Sequence, residues 1–229
     1  MKLITVSGPP SSGKTSVILN VIKELKNKGI KAGVVKMDCL ATHDNVLYER
    51  NEIPVKVGLS GNLCPDHFFV SNIEDCVSWG IKSGFDVLVS ESAGLCNRCS
   101  PHIREVMAVC VIDNLMGVNT PKKIGPMLKL ADIVVITKGD IVSQAEREVF
   151  AFRVRQANPR GLIIHVNGIT GQGAHQLSRL IISGRDTVTL EGSQLRFSMP
   201  AALCSYCLGE TRLGEDFQMG NIRKMQVEG

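Results

Sequence analysis

The chain has 229 residues, 44% hydrophobic and 21% charged, an ordinary globular composition with room for one sizeable core and an appendage. A formal charge of +4 and only 4% aromatic residues argue against a nucleic-acid surface, which needs a basic stripe and stacking rings. No apolar run reaches membrane-span length, and Met1-Lys2-Leu3-Ile4 meets a glycine loop too soon for a signal peptide. A soluble, cytoplasmic protein with no membrane or nucleic-acid partner is expected.

Leu3 to Val6 reads as a short buried strand, and Val17, Ile18, Val21, Ile22 and Leu25 then recur at helical spacing. Further strands are predicted at Lys31 to Met37, Asp86 to Glu91, Val106 to Asp113, Ile133 to Thr137 and Leu162 to Val166. Amphipathic stretches near 71–83, 121–131, 143–157 and 173–183 separate most of them. This alternation predicts an α/β fold, a mostly parallel sheet flanked by helices, over residues 1–183. From 184 the character changes. Arg185 to Met199 alternates like a short strand or hairpin, and a polar tail carries Cys204 and Cys207. Residues 184–229 are therefore expected to form a small cysteine-containing appendage, docked on the main domain or held by metal.

Between the first strand and the first helix stands Gly8-Pro9-Pro10-Ser11-Ser12-Gly13-Lys14-Thr15, a complete G-x-x-x-x-G-K-[ST] phosphate loop followed by Ser16. Strand, loop and helix N-terminus are the setting the motif needs, because successive backbone N–H groups must converge on one polyphosphate. Gly8 and Gly13 let the backbone approach. Lys14 places an ammonium near the β- and γ-oxygens, and Thr15 offers its hydroxyl to Mg2+. Asp38, just past the second strand, is placed to bind Mg2+ or orient the attacking water; Asp44 follows in a loop. Glu91, ending the strand at 86–91, reaches the metal side, with Gly94 close to the γ-phosphate. Lys14, Asp38 and Glu91 are the candidate catalytic residues, and Thr15, Asp38 and Glu91 the candidate Mg2+ residues.

Thr137-Lys138-Gly139-Asp140 follows the strand at 133–137. A carboxylate at Asp140 accepts from both N1–H and the exocyclic amine of guanine, whereas adenine presents an acceptor there. That difference favours GTP/GDP, with ATP the alternative, and Lys138 lies along the base plane. Asn167 and Gly168, at the end of the next strand, are a second candidate base contact.

Eight cysteines in a cytosolic chain are thiols or metal ligands before they are disulfides. Cys39, Cys76 and Cys110 stand alone, and Cys110 reads as buried. Cys64 and His67 lie between the second and third predicted strands, and thiolate plus imidazole suits Ni2+ or Zn2+. Cys96 and Cys99 come directly after the Glu91 loop. With Cys204 and Cys207 they make two C-x2-C pairs, able to hold zinc or an Fe–S cluster, or to meet their mates across a dimer axis. His102 and Arg104 read as surface or phosphate-side residues.

In combination these residues resemble the SIMIBI-class P-loop GTPases that mature metal centres, especially the HypB/UreG-type nickel-insertion proteins. The spacing of Asp38 and Asp44 resembles the family's first switch, and Glu91-Ser92-Ala93-Gly94 its acidic strand end and glycine loop. Pro121 to Pro126, then Ala131 to Asp140, are similar to the urease-type segment leading into guanine recognition. Cys64-Pro65-Asp66-His67 is similar to the urease-type Cys-Pro-His and the hydrogenase-type Cys-His, with Asp66 inserted. In the hydrogenase type a cysteine of the following loop joins that pair, a role Cys96 or Cys99 would take here. Pro9 stands where the partitioning ATPases of the class carry a second lysine, and the tail after 183 matches nothing in the nickel proteins.

The resemblance spans about residues 1–183 and implies a nucleotide-dependent homodimer working with a client metalloenzyme or its maturation factors. The function expected is a GTP-hydrolysing metallochaperone for a nickel, cobalt or related centre. A nucleotide-driven Fe–S carrier and a GTPase switch with only structural zinc are the alternatives.

Overall fold

A computed structural model describes residues 1–197, 209–218 and 220–227. Among these, seven strands build one sheet: β1 (Lys2–Ser7), β2 (Ala32–Asp38), β3 (Val55–Leu59), β4 (Val87–Glu91), β5 (Met107–Asp113), β6 (Ile133–Thr137) and β7 (Leu162–His165). They run in the order β3-β2-β4-β1-β5-β6-β7, every neighbouring pair parallel. Parallel neighbours need crossovers, and these carry α1 (Lys14–Lys26), α2 (Asp44–Arg50), α3 (Pro65–Lys82), α4 (Pro126–Lys129) and α5 (Gln144–Ala157), with α6 (Ala174–Ile182) following the last strand. β1 is central, so its carboxyl end opens between those of β4 and β5, where open α/β sheets bind ligands.

Strand side chains alternate between faces, and both faces here are covered. Ile4, Val6, Val34 and Val89 pack against Val17, Val21 and Leu25 of α1 and Leu177 of α6. Leu3, Val35 and Leu88 turn the other way, onto Phe68, Phe69, Ile73 and Val77 of α3. Phe150 and Val154 of α5 cover Ile112, Val134 and Ile136. α5 starts on a capping box: Ser143 Oγ accepts from Glu146 N at 3.3 Å, and the Glu146 carboxylate accepts from Ser143 N at 2.9 Å.

Several elements differ from expectation. β3 and α2 were not anticipated, so the strand at 86–91 is fourth in the chain. β3 is a short edge strand with Val55, Lys56 and Val57 only half-buried, and α2 buries Tyr48 alone, so neither shows a strong apolar period. Asp44 accordingly opens a helix instead of sitting in a loop. α3 begins at Pro65, ahead of the apolar stretch near 71, because Pro65 is pre-set for a first helical turn. The stretch 121–131 yields a turn at Thr120–Lys122 and the four-residue α4. Gly125 divides them at φ 69, and a Cβ there would stand 2.3 Å from the Asn97 carbonyl oxygen.

The alternation over 185–199 gives, in its described part, two isolated antiparallel bridges, Ile103–Leu195 and Gln194–Arg212. Leu190, Leu213 and Val227 enter the α3 core. Arg196 donates to both Asp132 oxygens at 2.7 Å and to the Leu130 carbonyl at 2.8 Å, fastening this segment beside β6. Cys204 and Cys207 lie outside the described residues. Among the described residues no helix is long and apolar enough to cross a membrane.

Candidate functional site

The phosphate loop leaves β1 at Ser7 and enters α1 at Lys14, with Gly8, Pro9, Pro10, Ser11, Ser12 and Gly13 between. Lys14 is buried, and its Nζ donates to the carbonyls of Gly8 at 2.8 Å and Pro9 at 3.0 Å. Burial is the main reason its pKa lies below the usual lysine value. Thr137 turns toward this loop: its hydroxyl donates to the Ser12 carbonyl at 2.7 Å. Lys138, at φ 55, donates to the Ser11 carbonyl at 2.8 Å and pairs with Asp113 at 3.0 Å. The loop after β6 and the phosphate loop are thus bonded directly.

Asp140 is exposed and lines a cleft of about 480 Å3 with Gly139, Arg147, His165 and Asn167. Asn167 Oδ1 accepts from the N–H groups of Ile169 at 2.8 Å and Thr170 at 3.0 Å, which shapes its own loop. Gly168 lends its carbonyl to Asn20 of α1 at 2.9 Å, and Ser16 sits beneath it.

A second cleft of about 380 Å3 opens over the phosphate loop, lined by Lys14, Thr15, Lys36, Asp38, Asp44 and Glu91. The Thr15 hydroxyl lies 2.9 Å from Glu91 Oε1 and 3.0 Å from Asp44 Oδ2. The Lys36 ammonium sits 2.8 Å from each of those carboxylates and 3.6 Å from Asp38. Tyr48 donates to the other Glu91 oxygen at 2.7 Å. Burial opposes the Lys36 charge, but Glu91 and Asp44 together outweigh it and hold its pKa above the usual lysine value. Hard oxygen donors converging on one ammonium fit a Mg2+ site, with that ammonium as the stand-in cation. Sequence reasoning missed Lys36 and Tyr48. A lysine inside the apolar run of β2 was the available signal, since a buried ammonium requires carboxylates nearby.

The cysteines assemble differently from the spacing. A carboxylate oxygen of Asp66 and the sulfurs of Cys96 and Cys99 lie within 4.8 Å of one another. The two sulfurs are 3.3 Å apart, and the Cys64 thiol is hydrogen-bonded to Cys99. That bond pulls the Cys64 thiol below the usual value and pushes Cys99 above it. Burial, then the neighbouring Cys64, lift Asp66 to about 7. Acids that oppose one another's ionisation are relieved together by a divalent cation, which expels their protons.

His67 does not belong to this group. Consecutive helical residues point about 100° apart, so Asp66 takes the place beside the thiols. The fully buried His67 faces the backbone of Asn221 in the C-terminal segment. Cys76 and Cys110 are buried, and burial lifts each to about 12.

The cysteine loop rests on the phosphate loop. Gly94 has φ 69, and a Cβ there would stand 1.7 Å from the Gly8 carbonyl oxygen. Farther on, His102 is fully buried behind β1, not on the surface, while Arg104 is exposed. His102 Nε2 lies 2.9 Å from the Met127 carbonyl, which can only accept, so Nε2 carries the proton and Nδ1 accepts from Thr5 at 3.1 Å. Burial, the main cause, lowers His102 to about 4. An unfolded imidazole titrates near about 6.5, so the folded state loses stability as pH falls from about 6.5 to about 4, by about 3 kcal/mol. Urea midpoints measured across that window should fall in the wild type and fall less in His102→Gln.

A glycine loop at the carboxyl end of a central parallel strand, with a cation-holding carboxylate group beside its lysine, defines a P-loop nucleotide-binding protein. Residues 2–165 match the CobW/HypB/UreG nucleotide-binding domain, and the chain belongs to that family, SIMIBI-class P-loop GTPases of the metallochaperone group. It is 49% identical over 233 residues to the uncharacterized protein MJ0120 of Methanocaldococcus jannaschii, covering 100% of each chain. To the urease accessory protein UreG 2 of Methylorubrum populi it is 30% identical, over 80% of this chain and 92% of that one. The hydrogenase maturation factor HypB of Archaeoglobus fulgidus superposes with a TM-score of 0.64 at 21% identity, over 80% of this chain and 89% of that one. HypB of Helicobacter pylori, solved in complex with nickel, gives 0.64 at 18% identity over 80% and 86%. At such identities the structural likeness speaks for the fold.

Proposed function

We propose that the protein binds and hydrolyses GTP with Mg2+, and that its nucleotide state sets how tightly Cys64, Asp66, Cys96 and Cys99 hold a transition-metal ion destined for a metalloenzyme under assembly. Lys14 and the phosphate-loop N–H groups bind the phosphates, Asp140 reads the base, and Thr15, Asp38, Asp44 and Glu91 hold Mg2+. One observation carries the reading: the loop bearing Cys96 and Cys99 sits on Gly8 with no space between. A terminal phosphate that moves this backbone moves the sulfurs with it, and two nucleotide states then bind metal unequally.

A carboxylate among three thiols favours a single Zn2+, Ni2+ or Co2+ ion over a four-thiolate cluster. The exposed Leu47 and Leu95 on the rim of the phosphate cleft support a nucleotide-dependent homodimer. Titration of Ni2+, Co2+ and Zn2+ into protein loaded with GDP or a non-hydrolysable GTP analogue tests the coupling. At least one ion should differ in affinity by about tenfold, or 1.4 kcal/mol. Equal affinities for all three in both states would remove the coupling. A reducible visible band after anaerobic purification would replace it with the Fe–S reading.

A further inference from the structure

We propose that the Lys36 ammonium is a built-in occupant of the cation position, so that a divalent ion enters the group of Thr15, Asp38, Asp44 and Glu91 only when nucleotide phosphates arrive to take the ammonium. This rests on the reading of that group as the Mg2+ site of a nucleotide pocket.

Lys36 lies near the middle of β2, between the buried Val35 and Met37, and is itself 3% exposed. A lysine there is costly unless its charge is matched. Its neighbours Val35 and Met37 face α3, so Lys36 shares the face of Val34, toward α1 and the phosphate loop. On that side the ammonium meets the same two oxygens, Glu91 Oε1 and Asp44 Oδ2, that lie against the Thr15 hydroxyl. An ion bridging Thr15 and these carboxylates therefore competes with Lys36 for the same lone pairs.

Charge balance sets the order of events. Three carboxylates, Asp38, Asp44 and Glu91, face two ammonium groups, Lys14 and Lys36, which leaves one negative charge without any ion, less than a divalent cation carries. A divalent cation entering alone leaves an excess of buried positive charge beside a displaced lysine. Arriving with a di- or triphosphate, it brings the anionic oxygens that Lys36 then faces. Because the two ligands assist each other, a divalent ion must strengthen nucleotide binding by the factor by which nucleotide strengthens ion binding.

Mn2+ binding, read by the loss of its free-ion paramagnetic resonance signal, tests this without any turnover. Nucleotide-free wild type should bind Mn2+ at least about a hundredfold more weakly than the GDP-loaded protein, whereas nucleotide-free Lys36→Met should bind at least about tenfold more tightly than nucleotide-free wild type. Lys36→Arg, which keeps the cation, should behave as wild type. If Lys36→Met fails to fold, Lys36→Met with Asp38→Asn keeps Thr15, Asp44 and Glu91 and should bind Mn2+ at least about tenfold more tightly than Asp38→Asn alone, the variant that lacks the same carboxylate. Equal Mn2+ affinity in nucleotide-free wild type and the methionine variant overturns the proposal but leaves the nucleotide site standing. A wild type that binds neither GDP nor GTP overturns both.

Discussion

Gly94→Ala is expected to lower nucleotide affinity by roughly a hundredfold while the protein stays folded. The new Cβ would stand 1.7 Å from the Gly8 carbonyl oxygen, 2.7 Å from its carbonyl carbon and 3.4 Å from its nitrogen. All three are backbone atoms of the phosphate loop, so no side chain can swing aside. The residue also holds φ 69, where alanine adds roughly 1–2 kcal/mol of strain. Either the phosphate loop or the cysteine loop must shift by more than an ångström, and a misplacement of that size commonly costs about a hundredfold in a preorganised site. Because Cys96 lies two residues on, metal affinity should change in the same variant. Fluorescent-nucleotide and Zn2+ titrations on one preparation check both, and circular dichroism confirms folding. Unaltered values for both ligands would mean that the loops are independent.

Lys14→Ala carries the second large effect. The side chain supplies the charge nearest the phosphate cradle, in a buried setting where electrostatic interactions are poorly screened. Removing such a donor should reduce GTP turnover by about 10²–10³, or roughly 3–4 kcal/mol. Phosphate release under single-turnover conditions measures it. Turnover equal to wild type would trace the activity to a contaminant or place the reacting phosphate elsewhere.

Legibility from sequence followed the physics of each part. β1, β5 and β6 are buried apolar runs, which advertise a parallel sheet directly, and the phosphate loop is a local motif of eight consecutive residues that runs straight into α1. β3 and α2 are weakly buried, so their pattern carries little periodic signal. The cysteine site was half legible. The family resemblance joined Cys64 to Cys96 or Cys99, but the residue inserted there relative to the family turns His67 toward the C-terminal segment and brings Asp66 to the thiols. Lys36 left a signal, a lysine inside an apolar run, but its partners come from β2, α2 and β4, and only the sheet order brings those together.

The segment from Gly94 to His102 is pinned along its length: on Gly8 at one end, through Asn97 against Gly125, and by the imidazole between Thr5 and Met127 at the other. Such a strap cannot flap like an open loop; it transmits as a stiff lever. Bond lengths from sulfur to a metal tolerate only about 0.2 Å of error. A displacement of the first glycine too small to open any channel is therefore enough to change how well the two sulfurs would fit an ion under the proposed function.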